Sequence, residues 1–274
     1  GVLLWARELG AQTWEANGLG IDANEYLYTV GGAAGGPSVF RAKLDVLGQV
    51  QWLVTETLPG YHNIRNMAVR ADGMFYYTGN GNAWGSGAPA CFIRQCDAYG
   101  NALNNVYLSG GNSVYCNGIK IAPDNTVVAA GWSATTLPGT TYLGGNDILV
   151  VKYSATLTNQ WTRQLGTSSS EENNDLVIDS NGDIYFAGFG QASFYGNPTF
   201  GSFDVILGKM NSSGTLLWSR QIGSTGFDAP VGLALGLDNI LTLTGYTSGS
   251  MEAQNYMGGN DAFLIRYDNQ GNKK

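Results

Sequence analysis

The sequence predicts an all-β fold: a five-bladed β-propeller of four-stranded antiparallel blades, closed as three strands plus one by the N-terminal strand. Three observations predict it. The first is a period. "WARELG" (5–10) returns as "WTRQLG" (161–166) and "WSRQIG" (218–223), and "YLGGNDILVVKY" (142–153) returns as "YMGGNDAFLIRY" (256–267). The second repeat is offset by 114, twice the 57 that separates Trp161 from Trp218 and also steps from Gly131 to Gly188 to Gly245. A fixed period over several units marks a repeat fold. The second observation is that every unit divides into the same four short strand-like segments. The third is that no segment carries apolar residues at helical spacing. Four antiparallel strands repeated five times is a propeller pattern: packing sheets around an axis hides both faces of each, and a ring removes most exposed edges.

The elements follow in order. The first segment of each unit is a short apolar run, as in "NGLGID" (17–22), "NMAVRA" (66–71), "NGIKIA" (117–122), "NDLVID" (174–179) and "VGLALG" (231–236). Turns such as "ADG" (71–73) and "SNG" (180–182) come next; Asp, Asn and Gly tolerate the positive φ that closes a hairpin. The second segment, as in "FYYTGN" (75–80) or "ILTLTG" (240–245), runs into a long Gly-rich loop. The third ("CFIRQCD", 91–97; "AFLIRYD", 262–268) leads through another turn to the fourth, which holds Trp52, Trp161 and Trp218 in units one, three and four. Unit two has "NNVYLS" (104–109) there, without Trp. No fourth segment follows Asp268, so "LLWARE" (3–8) is expected to supply it; the rival reading is a segment of a larger ring, which would leave both ends unsatisfied. Residues 1–274 then form a single domain with blades at about 14–57, 62–109, 114–165, 171–222, and 228–268 plus 2–9.

Composition narrows the function. Of 274 residues 43% are hydrophobic, enough for a large core. Forty glycines without a Gly-X-Y period exclude collagen. A net charge of -7 argues against nucleic acid, which needs a basic face. No apolar run reaches the length of a membrane helix, so no membrane insertion is expected. The chain begins at Gly1 with neither initiator Met nor leader, so its start is silent on export. One histidine and no CxxC pair are too few for common zinc sites, and neither metal nor cofactor is expected. Cys91 and Cys96 point to opposite faces of one strand; the three cysteines read as buried thiols, with a Cys91–Cys116 bridge left open.

"WSRQIGSTGFDAPVGLAL" (218–235), "TLTGYTSG" (242–249) and "GGNDAFLIRYDNQG" (258–271) together resemble the bacterial SBBP β-propeller repeat family. The resemblance covers essentially the whole chain and is strongest from 142 to 271. It implies a secreted or cell-surface protein, often with other extracellular modules beside it, and no agreed catalytic motif. The family is named for seven blades, whereas five are counted here.

Candidate binding residues fall on one face. The loops between second and third strands (80–90, 132–146, 189–203, 246–260) carry Trp84, Tyr142, Tyr195, Tyr246 and Tyr256. Aromatic rings with amides and hydroxyls around them suit polar ligands with apolar faces, such as sugars. The first strands begin with Asn17, Asn66, Asn117 and Asn174, expected as a polar ring at the channel mouth. Trp14, His62, Tyr115, Glu171 and Asp228 precede them at equivalent points.

Other recurrent residues read as structural. Asp147, Asp204 and Asp261 open third strands and are expected to cap turn N–H groups. Arg7, Arg163 and Arg220 lie two residues after Trp, where a guanidinium can stack on indole. "DSNGD" (179–183) reads as a hairpin turn rather than a calcium loop. The expected function is a non-catalytic, secreted or surface-displayed module binding a glycan or an extracellular protein, through several weak equivalent sites. The alternatives are a structural or adhesive module of a larger chain, and a glycoside hydrolase built on Glu15, Glu171, Glu172, Asp175 or Asp228.

Overall fold

The computed structural model describes residues 4–9, 14–33, 36–82, 89–251 and 253–274. Five antiparallel sheets succeed one another along the chain. The first is β1 (Trp14–Ile21), β2 (Leu27–Ala33), β3 (Ser38–Leu44) and β4 (Val50–Thr57). The second is β5 (His62–Val69), β6 (Phe75–Gly81), β7 (Ala90–Cys96) and β8 (Ala102–Leu108). The third is β9 (Val114–Ile121), β10 (Val127–Ser133), β11 (Asp147–Tyr153) and β12 (Asn159–Leu165). The fourth is β13 (Glu171–Ile178), β14 (Ile184–Gly190), β15 (Asp204–Met210) and β16 (Leu216–Ile222). The fifth is β17 (Asp228–Leu235), β18 (Leu241–Thr247) and β19 (Asp261–Tyr267). Each sheet is a meander, and the five are numbered blades 1–5 in chain order.

Local chemistry sets the outer hairpins. Asp97 Oδ1 accepts the N–H groups of Tyr99 and Asn101, each at 2.9 Å, while Gly100 takes φ 85°. Asp45, Asn211 and Asp268 close the same turn at the end of the third strand in blades 1, 4 and 5. A side-chain acceptor two residues before the tip replaces a backbone partner, and glycine supplies the positive φ.

Blade-to-blade packing forms the core. Met67, Ile119, Leu176 and Leu233 occupy one repeat position on the inner strands, facing the preceding blade, and are 3%, 0%, 0% and 7% exposed. On the third strands Ile93, Val150 and Leu207 face the following blade and are buried. Between blades 3 and 4, for example, Val128 and Val150 meet Leu176, Phe186 and Ile206 in one cluster. Fully burying each such side chain contributes about 1.5–3 kcal/mol.

The Trp-x-Arg repeat is a strap between blades. Trp161 Nε1 donates to Ser212 O at 3.3 Å and Arg163 Nε to Gly214 O at 3.0 Å, across to the turn of the next blade. Trp218 and Arg220 reach Asn269 O and Gly271 O in the same way. Each indole lies on the glycine of that turn, and each guanidinium stacks over its indole at 5.3 or 5.5 Å. The fourth strand of blade 2 has no Trp, and the turn it faces has Leu157 at φ 63° where the others have glycine. There the buried Tyr76 crosses instead, its hydroxyl donating to Ala155 O at 2.7 Å.

Blade closure differs from the expectation. Among the described residues the fifth sheet has three strands, and 4–9 forms no ladder with β19. Trp5 Nε1 donates to Val46 O and Arg7 Nε to Gly48 O, both at 2.9 Å, with the Trp5 indole over Gly48. These are the strap contacts that a fourth strand makes to the blade after it. Segment 4–9 is thus held on blade 1 as the outer strand of a preceding blade would be. The inner strands pack in series from β1 through β5, β9 and β13 to β17. Among the described residues no inner-strand contact of comparable extent returns from β17 to β1.

The reading of three buried thiols is corrected: the bridge left as the alternative is present. Cys91 on β7 and Cys116 on β9 form a disulfide across blades 2 and 3, and Cys96 is a buried thiol.

Candidate functional site: an aromatic cleft at the axis

Every inner strand carries a β-bulge at one repeat position. The extra residue is Asn17 in β1, Arg65 in β5, Asn117 in β9, Asn174 in β13 and Val231 in β17. Opposite each bulge stands a glycine: Gly31, Gly79, Gly131, Gly188 or Gly245. A Cβ on any of them would overlap a carbonyl oxygen of the bulged strand, that of Glu15, Asn63, Tyr115, Glu172 or Ala229. The glycine period therefore encodes the bulges, which leave one residue per blade outside the ladder and re-aim its side chain.

Four bulge residues, Arg65, Asn117, Asn174 and Val231, line a cleft of about 580 Å³ at the end where the inner strands begin. Tyr115 and Trp132 form one wall, stacked with ring centroids 4.3 Å apart and planes at 19°. Tyr246 lies on the blade 5 side, stacked at 5.9 Å on Phe227. Trp132, Phe189 and Tyr246 hold one position on the second strands of blades 3–5, where blades 1 and 2 have Gly32 and Asn80. The aromatic wall is therefore confined to one side of the axis.

The polar groups are partly committed. Asn117 Nδ2 donates to Asn173 O at 2.8 Å, and Asn174 Nδ2 to Pro230 O at 2.6 Å. Each amide thereby braces its blade to the next and leaves its Oδ1 as an acceptor. Glu172 also lines the cleft; burial pushes its pKa up, against the donation from Asn146 Nδ2 at 2.8 Å. Arg65 is exposed at the blade 2 side.

Of the residues expected from sequence, the structure brings together Tyr115, Asn117, Asn174 and Tyr246, with Glu172 beside them. In unit two the equivalent of these asparagines is Arg65, not Asn66. Asn66 sits one place further, where its Oδ1 accepts Met67 N, as Asp175 accepts Leu176 N. Tyr115 is likewise one residue after the position of His62, Glu171 and Asp228. The bulge shifts register by one, which alignment on Asn alone misses.

The other candidates lie elsewhere. His62 is buried, its Nε2 3.1 Å from the Tyr107 hydroxyl and its ring edge-on to Phe92. Asp228 is buried, accepting Ser224 N at 2.6 Å. Trp14 stacks on Phe40 at 5.1 Å, and Asn17 is exposed on β1. The Tyr142 and Tyr256 hydroxyls donate to Gly145 O and Gly259 O within their own loops. Tyr195 stands 54% exposed at φ 49° beside Phe194. Trp84 lies outside the described residues. The residues missed were Arg65, Trp132 and Val231; the glycine period was the signal that could have located them.

No protein-family model matches the chain, and no curated protein matches it in sequence. Solved structures do. Hydrazine synthase of Kuenenia stuttgartiensis superposes with a TM-score of 0.61 at 14% identity, over 98% of this chain and 67% of that one. The cobalt-substituted apocarotenoid oxygenase of Synechocystis gives 0.54 at 13% identity, over 93% of this chain and 63% of that one. The chain spans about two thirds of the length of these neighbours. At such identity the likeness concerns the fold alone, and with the five successive antiparallel sheets it supports a β-propeller architecture.

Proposed function

We propose that this protein is a non-catalytic binding module of an extracellular or cell-surface protein, taking a glycan at the axial cleft. The observation that carries the reading is the Tyr115–Trp132 stack set in a cleft with amide acceptors and Arg65. A flat aromatic surface beside directed polar groups suits a ligand with an apolar face and a hydroxyl rim. The aromatic wall on blades 3–5 favours one asymmetric site over several equivalent ones. The acidic residues considered for glycoside hydrolysis support the non-catalytic reading. Glu171 is buried and accepts from Thr167, Asp228 from Ser224, and Asp175 from Leu176 N and Leu233 N. Glu15 is exposed on β1 and does not line the cleft, which leaves Glu172 as the carboxylate that does. The Cys91–Cys116 disulfide supports an oxidising compartment, and the SBBP resemblance points the same way.

The fold that goes with this reading is a five-bladed ring, with blade 5 completed by the Trp-x-Arg strand at 4–9. The strap contacts of Trp5 and Arg7 support it.

A glycan array followed by calorimetry tests the function. Trp132→Ala is expected to weaken binding about tenfold, equivalent to ~1.4 kcal/mol, with an unchanged circular dichroism spectrum. Affinity indifferent to Trp132 and Tyr115, or release of reducing sugar from a bound glycan, would sink the reading.

A further inference from the structure

Two blade junctions bury acidic residues that meet no counter-charge. Asp147 and Asp204, which open third strands, are 0% exposed, and so are the residues that open the next inner strands, Glu171 and Asp228. Each pair meets over a glycine. A Cβ on Gly166 would stand 2.3 Å from Asp147 Oδ1 and 2.9 Å from Glu171 Oε2. One on Gly223 would stand 2.1 Å from Asp204 Oδ1 and 3.0 Å from Asp228 Oδ2. These glycines close "WTRQLG" and "WSRQIG", and any larger residue there would drive a carbon into both carboxylates.

One oxygen of each pair has no partner. Asp147 Oδ2 accepts Leu143 N at 2.9 Å and Gln164 Nε2 at 3.1 Å, and Asp204 Oδ2 accepts Phe200 N at 2.9 Å and Gln221 Nε2 at 3.0 Å. The Oδ1 of either aspartate, turned toward the facing carboxylate, accepts no hydrogen bond among the described residues. Glu171 and Asp228 accept the N–H and hydroxyl of Thr167 and Ser224, the residues that follow the two glycines. Among the described residues no ion pair reaches any of the four. The charge felt by Glu171 is that of Asp147, and the charge felt by Asp204 is that of Asp228. The fold does not require acids here. The same two positions hold Ala90 and Val114 between blades 2 and 3, and Ser38 and His62 between blades 1 and 2. Buried charges are paired with opposite charges or coordinate metals.

We propose that each pair, Asp147 with Glu171 and Asp204 with Asp228, binds one calcium ion as a clasp between consecutive blades. The donors are the unpartnered Asp Oδ1, the facing carboxylate and the hydroxyl of Thr167 or Ser224, with water completing the shell. An all-oxygen set with two carboxylates suits a hard divalent cation. The scarcity of His and Cys, which counts against zinc, does not bear on it. Each aspartate then uses Oδ2 to cap its own loop and Oδ1 to reach the next blade. The two ions tie blade 3 to blade 4 and blade 4 to blade 5, as Cys91–Cys116 ties blade 2 to blade 3.

Calorimetric titration of calcium chloride into protein stripped with a chelator tests the inference, with melting curves in calcium and in chelator beside it. Two ions per chain are expected, with Kd about 10⁻⁴–10⁻³ M, the range of extracellular modules. Calcium should raise the melting temperature of the wild type by several degrees, because it binds the folded chain alone. Asp204→Asn keeps the shape of the side chain and should bind one ion. Asp147→Asn/Asp204→Asn should bind none and melt at the same temperature in calcium and in chelator, with an unchanged circular dichroism spectrum. A wild type that gives no calcium heat and equal melting temperatures overturns the inference, whether or not the variants fold. Two ions still bound by the double variant overturn it as well, since the ions then lie elsewhere.

Discussion

Leu207 and Leu264 stand at the same position one repeat apart, on third strands of the same register, and only their neighbours differ. Leu207 is sealed in the cluster that joins blades 4 and 5, while Leu264 faces the groove at the end of the row. The difference teaches where the stability of this fold resides. A single blade is a twisted sheet with two apolar faces, and its energy is realised at junctions with neighbours. A Leu207→Ala variant is therefore expected to lose about 2–5 kcal/mol, whereas Leu264→Ala changes stability by less than about 0.5 kcal/mol in dilute solution. Urea denaturation of both variants measures this directly. Equal losses at low concentration would mean that the end face is covered within one chain.

The junction of blades 2 and 3 adds a covalent clasp that the others lack among the described residues. Cys91 and Cys116 are 25 residues apart in sequence, and closing a loop of that size stabilises by about 3 kcal/mol. The reduced protein, or a Cys91→Ser/Cys116→Ser variant, is expected to melt lower by several degrees. The loss should appear first as exchange of amides in β7 and β9 rather than in β17–β19. An unchanged melting temperature would assign that junction's stability to packing alone.

The sequence spelled out the strands because their turns carry local chemistry. Asp97 and Gly100, or Asn211 and Gly214, fix a hairpin with residues four or fewer apart. The strap was half legible: the Trp–Arg spacing put both side chains on one strand face, but their carbonyl partners lie about fifty residues away. The cleft was least legible. Its lining depends on the bulges at Arg65 and Asn117, which displace register by one, and on Trp132 reaching the axis from a second strand. Only the glycines opposite the bulges report this in one dimension.

The straps allow a smaller test. Trp218→Ala removes an indole lying on Gly271 and its hydrogen bond to Asn269 O, and is expected to cost about 2 kcal/mol. Trp5→Ala removes the same contacts at Val46 and Gly48, from a segment with no ladder behind it. It is expected to cost about half as much in the monomer. Thermal melts of the two variants make the comparison, and a larger loss for Trp5 would place segment 4–9 within a completed sheet.

The smallest expected effect concerns the caps of the third strands, which again differ between the interior and the end. Asp147, Asp204 and Asp261 each accept a loop N–H four residues back, from Leu143, Phe200 and Met257. The first two are buried beside the opening carboxylate of the next blade, Glu171 or Asp228. Burial pushes Asp147, Glu171 and Asp204 above the usual carboxylate range; the Asp147 charge adds to the rise at Glu171, and that of Asp228 at Asp204. Groups with a raised folded pKa contribute stability that is fully present below the unfolded value and is lost as pH rises through the folded one. Asp97 behaves oppositely. Burial pushes it up, but donation from the Asn101 side chain and from turn N–H groups outweighs that and holds it low. Its contribution is lost as pH falls. The melting temperature is therefore expected to peak at mildly acidic pH, and to decline above the folded values of Asp147, Glu171 and Asp204. Asp204→Asn removes a carboxyl whose charging burial opposes, and should flatten that decline. Parallel melting curves for wild type and Asp204→Asn across the acidic-to-neutral range would mean that the burial of Asp204 does not cause the decline.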